Sequence, residues 1–391
     1  MAKRHSIAIF TGSRAEYGLL YPTIKHIVAD PDLSLQLIVS GTHLSSAHGA
    51  TASEITRDGF NPALEIPLAM QGDGEGDIAH AVAVILEKMT AYFAQHKPDT
   101  LIILGDRFEV LAAAQAALFS RIPIVHLHGG EATEGLIDEA IRHAVTKMAH
   151  LHFVAAEPYR QRVIQMGEQP DRVVVMGATC IDNIRDFTPL PKPEFFAQVK
   201  LDADKPFFLV THHPLTLVKG AAKTEIEQLL AALESFPHHQ LLFTGVNADM
   251  ENAVIRDAIA AYCEKRPNDT RMVQSLGRVL YYNAMHYSDM VIGNSSSGLL
   301  EAPFFGKPTI NIGKRQQGRI SGESVIHVEA EKQVLAAAIQ KGLSSNFRAI
   351  AERGMSPYGQ LSQSPSVTIV DGMKRFLQNG TIVKSFYTIP V

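Results

Sequence analysis

The sequence predicts an α/β protein of two halves, each a parallel sheet of βαβ units, joined by a hinge. Short runs rich in β-branched residues alternate with longer stretches of helical periodicity, which is the pattern of parallel sheets. That pattern stops at Thr188-Pro189-Leu190-Pro191-Lys192-Pro193 and then restarts. The length, 391 residues, corresponds to about two domains at roughly 150 residues each.

In the first half the predicted strands are residues 7–10, 35–39, 100–104, 122–126, 151–155 and 173–176, with an alanine-rich helix over 108–119. Each run ends in small or polar residues, as strands do when their carboxyl ends face a ligand crevice. Residues 189–193 hold three prolines in five positions, which predicts neither helix nor strand there and marks a linker. In the second half the predicted strands are 207–211, 240–244, 270–273, 290–293 and 308–312, with helices over 221–235 and 249–264. Residues 367–377 read as an amphipathic helix that packs back on the first half. The expected division is 1–187, 188–365 and a tail, 366–391. A ligand is expected in the cleft between the halves, facing the carboxyl ends of both sheets.

Composition narrows the function. Apolar residues make up 46% of the chain, enough for a large core, so disorder and stapled mini-scaffolds are excluded. A formal net charge of −4 argues against a nucleic-acid partner held by bulk positive charge. Cys180 and Cys263 cannot build a disulfide framework or a thiolate zinc site. The basic start, Lys3-Arg4, is followed by only four apolar residues at 7–10, short of a signal peptide. No stretch approaches the ~20 apolar residues of a membrane span. The expectation is a soluble cytoplasmic protein with no membrane partner.

Six segments carry candidate chemistry. Thr11-Gly12-Ser13-Arg14-Ala15-Glu16-Tyr17-Gly18 leaves a strand and opens a helix, where free amides meet anions and Arg14 can grip a phosphate. It fits neither a dinucleotide fingerprint nor a Walker A loop. The plain alternative is a helix cap with Arg14 paired to Glu16 or solvated. Gly105-Asp106-Arg107 places an acid and a base at the end of an apolar strand, or alternatively caps the helix that starts at Phe108. In His126-Leu127-His128-Gly129-Gly130-Glu131 the glycines allow close backbone approach to a ligand. His126 and His128 suggest a metal pair, but no third ligand has diagnostic spacing, so no metal is expected.

Asp138 and Arg142 stand four apart on one helix face, either a surface pair or part of a carboxylate group with Glu131. Crowded carboxylates separate their pKa values, which suits acid and base work. In the second half, Thr211-His212-His213-Pro214 puts histidines at a strand end. Gly293-Asn294-Ser295-Ser296-Ser297-Gly298 combines hydroxyls with a helix start, a seat for a diphosphate, and Glu301 one turn on suits a ribose. The loop Gly313-Lys314-Arg315-Gln316-Gln317-Gly318-Arg319 is basic.

Taken together and in this order, these motifs resemble the hydrolysing UDP-N-acetylglucosamine 2-epimerases of the sialic-acid pathway. The resemblance spans about Ile7 to the Arg315 loop. It implies a glycosyltransferase-B-like fold of two Rossmann-like domains with the active site between them. It implies elimination of UDP to a 2-acetamidoglucal, then hydration to N-acetylmannosamine, without nicotinamide or other cofactor. Arg14, Asn247, Ser295, Ser296, Glu301 and Arg315 match nucleotide-contacting positions, and Arg107 and His213 match positions beside the diphosphate. Asp106, Glu131 and Asp138 match acidic positions assigned to proton transfer. Some relatives carry Glu where this chain has His128; if that Glu is a catalytic acid, its role falls here to His128 or Glu131. The resemblance also implies a homodimer, and it leaves open a UDP-linked diacetamido-trideoxyhexose, UDP-N,N'-diacetylbacillosamine, as substrate. A glycosyltransferase and a non-catalytic sugar-nucleotide sensor are the other readings of the same scaffold. Substituents at C-4 and C-6 would meet loops such as residues 69–76.

Overall fold

The computed structural model describes residues 4–45, 52–68, 74–134, 136–215, 220–245, 252–379 and 382–390. The chain forms two compact units: Met1–Glu131 with Asp138–Arg185 and Tyr358–Val391, and Ala132–Ile137 with Asp186–Pro357.

Unit 1 holds strands β1 (His5–Thr11), β2 (Leu33–Ser40), β3 (Leu64–Ile66), β4 (Thr100–Leu104), β5 (Ile124–Leu127), β6 (Leu151–Val154) and β7 (Val173–Val175). They lie in the order β3-β2-β1-β4-β5-β6-β7, with parallel neighbours throughout. Side chains alternate across a strand. Thus Ile7 and Ile9 pack with Leu20 and Ile24 of helix Arg14–Ala29 on one face. Ala8 and Phe10 pack with Ile85, Met89 and Phe93 of helix Glu75–His96 on the other. A sheet covered on both faces needs apolar residues at every position, hence uninterrupted runs instead of alternation.

The C-terminal helix, Pro365–Asn379, packs Ile369, Met373 and Phe376 into the same core as Ile7 and Phe153. Its start is fixed by Asp182, whose carboxylate accepts from the Ser364 hydroxyl at 2.8 Å and the Ser366 N–H at 2.7 Å. Lys374 pairs with Asp30 at 2.6 Å and Asp32 at 3.1 Å.

Unit 2 holds β8 (Phe207–Thr211), β9 (Gln240–Thr244), β10 (Thr270–Val273), β11 (Met290–Gly293), β12 (Thr309–Ile312) and β13 (Val325–Val328), in the parallel order β10-β9-β8-β11-β12-β13. In both sheets the strand order reverses once, between β1 and β4 and between β8 and β11. Ligands of doubly wound sheets bind outside the carboxyl ends at such switch points. The loops there are the ones that carry Gly12-Ser13-Arg14, Gly105-Asp106-Arg107, His212-His213 and Asn294-Ser295-Ser296.

Several expectations need correction. Strand β5 starts at Ile124, not residue 122, because Pro123 has no N–H for the ladder and gives only its carbonyl, to the Leu101 N–H at 2.9 Å. The proline-rich segment does not stay irregular: helix Lys192–Val199 begins inside it, with Pro193 in its first turn, where a missing N–H does no harm. Strands β3 and β13 were not anticipated; β3 has three residues, too few for a periodic signal. The helix expected over 249–264 is described as Asn252–Lys265, its start lying outside the described residues.

Candidate functional site

In unit 1, Ser13 caps the helix Arg14–Ala29: Ser13 Oγ accepts the Glu16 N–H at 3.4 Å, and Glu16 Oε2 reaches back past the cap to accept the Gly12 N–H at 2.8 Å. Arg14 is thereby turned outward to Glu54, its Nε donating to Oε2 at 2.8 Å. Of the plain alternatives for Arg14, the pair with Glu16 gives way to one with Glu54. Glu16 itself is buried, and its Oε1 has no hydrogen-bond partner among the described residues. Burial, reinforced by the Glu109 carboxylate, pushes its pKa up to about 7, against the opposing pull of Arg107. Arg107 donates to Glu109 at 3.2 Å. His43, bonded to Thr11 Oγ1 at 3.0 Å, is held neutral by burial, its pKa down to about 4.

A carboxyl with a raised folded-state pKa favours folding fully below its unfolded value and loses that contribution as pH rises through the folded one. For Glu16 the window runs from 4.5 to about 7. Glu16→Gln, neutral throughout, is therefore expected to gain on wild type by roughly 1–3 kcal/mol between pH 4.5 and 8. Urea midpoints at pH 4.5 and 8 check this; parallel shifts in the two proteins would refute it.

The centre of the unit 1 cluster is Arg142, on helix Asp138–Met148 and only 1% exposed. Its Nε donates to Asp106 Oδ2 at 2.9 Å, with a second contact from the same guanidinium. Its Nη1 reaches Glu139 Oε2 at 2.5 Å and the Glu131 carbonyl at 2.9 Å. Burial alone would lower its pKa, but Asp106 and Glu131 hold it above the ordinary value. Arg142 is thus not a surface side chain but the buried tie between the ends of β4, β5 and its own helix. Asp106 does not cap the following helix either; Arg107 holds the N-cap position, without a side-chain bond. Asp138, the first residue of helix Asp138–Met148, stands one residue before Glu139.

His128 and Glu131 meet at 2.5 Å through Nδ1 and Oε1. His126 turns away: its Nε2 donates to the Gly105 carbonyl at 2.8 Å, and burial lowers its pKa to about 3. The nitrogens of both histidines are therefore engaged by protein groups, and no group of three metal-ligating side chains occurs among the described residues. Gly129 and Gly130 both lie tight against neighbouring groups. A Cβ on Gly129 would lie 3.1 Å from the His126 ring, and one on Gly130 2.5 Å from the Tyr159 carbonyl.

In unit 2, Asn294 joins the strand-end loops. Its Oδ1 accepts the His213 N–H at 2.7 Å, and its Nδ2 donates to the His213 carbonyl at 2.8 Å. Its own carbonyl accepts from Gln316 at 2.8 Å and Arg315 at 3.5 Å. This close approach of β11 to β8 needs Gly293, at φ 138°, because a Cβ there would fall 1.8 Å from the Thr211 carbonyl oxygen. His212 faces Glu225 at 3.3 Å. Ser295 Oγ accepts from Ser297 Oγ at 3.2 Å, and Ser297 bonds Tyr281 at 2.5 Å.

Ser296 is the N-cap of a helix that is a single turn, Ser297–Leu300. Glu301 is its C-cap, not a residue one turn inside, because Pro303 blocks continuation and the chain passes into the 3-10 turn Ala302–Phe305. Burial raises Glu301 to about 7, against the Tyr282 hydroxyl that donates to it at 3.0 Å. Asn247 and part of the 69–76 loop lie outside the described residues. Sequence reading passed over Glu16, Glu109, Glu139 and Tyr282 as site residues. Glu16 stood inside a quoted motif and Glu139 lies next to Asp138 in the sequence, whereas Tyr282 had no signal.

A family profile for UDP-N-acetylglucosamine 2-epimerase matches residues 25–371. The chain belongs to the UDP-N-acetylglucosamine 2-epimerase family. The resemblance drawn from the motifs thus holds. Among its relatives, a GDP/UDP-N,N'-diacetylbacillosamine 2-epimerase (hydrolyzing) of Campylobacter jejuni is 38% identical, covering 89% of this chain and 90% of its own. Polysialic acid biosynthesis protein P7 of Escherichia coli is 34% identical over 98% and 97% of the two chains. Among solved structures, a putative epimerase of this family from Listeria monocytogenes superposes with a TM-score of 0.80 at 17% identity, covering 99% of this chain and 100% of that one. The Neisseria meningitidis enzyme bound to UDP-GlcNAc gives 0.78 at 17% identity, over 95% and 100%. These likenesses show the fold, the glycosyltransferase-B-like pair of α/β domains. No helix among the described residues of this epimerase-family protein is long and apolar enough to cross a membrane.

Proposed function

We propose that this member of the epimerase family is a hydrolysing 2-epimerase acting on a UDP-linked 2-acetamido sugar. The observation that carries the reading is buried Arg142, which holds the Asp106 and Glu139 carboxylates and the Glu131 backbone carbonyl together near the carboxyl ends of β4 and β5. In the first step the C-2 proton passes to a carboxylate and the C-1–oxygen bond breaks, its electron pair leaving on UDP while the C-1–C-2 double bond forms. In the second, water adds at C-1 and an acid delivers a proton to the opposite face of C-2. The products are UDP and the 2-epimeric amino sugar.

Asp106, Glu131 and Asp138 are the proposed proton-transfer groups. Arg107 and His213 would bind charge growing on the diphosphate, the interaction that most lowers such a barrier. Arg14, Ser295, Ser296, Glu301, Arg315 and Asn247 are proposed to hold the nucleotide; a carboxylate at Glu301 suits the ribose hydroxyls. Two relatives named for UDP-N,N'-diacetylbacillosamine, at 38% and 34% identity, favour that sugar. A relative from Neisseria meningitidis named UDP-N-acetylglucosamine 2-epimerase, 29% identical over 95% of this chain, favours UDP-N-acetylglucosamine.

Turnover in heavy water with each sugar nucleotide tests the reading. UDP release with deuterium at C-2 of the free sugar is expected, and the faster substrate identifies the sugar. Release of UDP without label excludes elimination. Turnover that requires an added acceptor indicates a transferase, and binding without turnover a sensor.

A further inference from the structure

Three groups in unit 1 form a line: Glu131, His128 and Thr179. Glu131 is 1% exposed and Thr179 2%, so solvent does not compete for the bonds between them. Glu131 Oε1 lies 2.5 Å from His128 Nδ1. On the far side of the ring, Nε2 meets Thr179 twice, at 3.0 Å from Oγ1 and 3.3 Å from the backbone nitrogen. The last contact decides the protonation pattern. A backbone N–H can only donate, so Nε2 must present its lone pair, and the ring proton must sit on Nδ1. The hydroxyl can rotate to donate to the same lone pair.

The backbone is arranged to hold this geometry. His128 adopts a left-handed φ of 65°, uncommon for a residue with a side chain, immediately after β5. Its N–H is tied to the Phe153 carbonyl at 2.9 Å, so the ring enters from a fixed position on the sheet. Thr179 stands immediately before helix Cys180–Arg185, and the following Asp182 is itself anchored to Ser364 and Ser366.

We propose that Thr179 is a positioning residue: it locks His128 as the Nδ1–H tautomer, which donates to Glu131 and leaves Glu131, not His128, to exchange the catalytic proton. The proposal rests on the epimerase reading for the proton's destination, but not for the tautomer. The C-2 proton moves to a Glu131 carboxylate oxygen and back out to solvent or product; the imidazole gains and loses none. His128 thus supports a carboxylate three residues on.

Two measurements on the whole protein test it. Long-range nitrogen–proton NMR with labelled histidine, assigned by the ring signal lost in His128→Gln, is expected to show an N–H at Nδ1 and a lone-pair nitrogen at Nε2 at pH 8. A proton on Nε2 overturns the proposal. Thr179→Val keeps the N–H and should keep that pattern. Thr179→Pro removes the N–H and should let the Nε2–H form appear. An unchanged pattern in Thr179→Pro overturns the assignment to Thr179, and the wild-type spectrum decides the tautomer by itself.

In turnover, Glu131→Gln should lower kcat by ~100- to 10,000-fold. His128→Gln, whose amide can still donate to Glu131, should stay within about tenfold with both limbs of the pH profile in place. Equal losses in the two variants, a limb missing from His128→Gln, or full activity in Glu131→Gln would each overturn it. If wild type turns over neither sugar nucleotide, the functional reading fails, while the NMR pattern still judges the tautomer.

Discussion

Replacing Arg142 with methionine is expected to lower the unfolding free energy by ~3–5 kcal/mol, because removing one partner strands buried charge. The side chain is 1% exposed and serves Asp106, Glu139 and the Glu131 carbonyl together. Its two carboxylate partners keep 22% and 26% side-chain exposure, so water recovers part of their solvation and the loss falls toward the lower end. Lysine should rescue little, since one ammonium cannot reach three acceptors set by a planar fork. Urea unfolding followed by circular dichroism measures the change, tryptophan being absent from the chain. A midpoint equal to that of wild type would remove Arg142 from the centre of the cluster.

Asp106→Asn is expected to cut kcat by ~100- to 10,000-fold while UDP affinity stays within roughly threefold. Asparagine keeps the shape and one acceptor for Arg142, which retains Glu139 and the Glu131 carbonyl, so the fold should persist. The split between rate and affinity is the informative part. A nucleotide-contacting residue would lose affinity; a proton-transfer group loses rate. Side-by-side initial rates and UDP titrations give both numbers, and wild-type turnover in the variant would strike Asp106 from the chemistry.

Much of the fold was legible because a sheet covered on both faces leaves an unbroken apolar run, as at Ile7 and its neighbours or at Phe207–Thr211. The loops that matter were legible for a related reason: they follow the carboxyl ends of strands at or beside the two switch points, and their glycines and polar residues break the apolar pattern. Pairings across distance were not. Arg142 reaches Asp106 over 36 positions, and Arg14 reaches Glu54 over 40. Local spacing suggested Asp138 and Glu16 instead, since helical neighbours are all that spacing can show. The short helix Ser297–Leu300 and the helix starting at Lys192 turned on where a proline falls within its first turn or just beyond its last. The His128 tautomer depended on a backbone amide from 51 positions away, which no motif records.

Helix Pro365–Asn379 completes the core of a unit whose first strand is His5–Thr11. During synthesis, then, the ribosome delivers the opening sheet long before the piece that covers one of its faces. Until residues 365–379 emerge, Phe153 and the surrounding apolar surface wait uncovered, a hazard for association with other nascent chains. Unit 2, continuous from Asp186 to Pro357 apart from one short segment, has all its strands in hand earlier. The order of maturation is therefore inverted relative to the order of translation: the half made first is finished last.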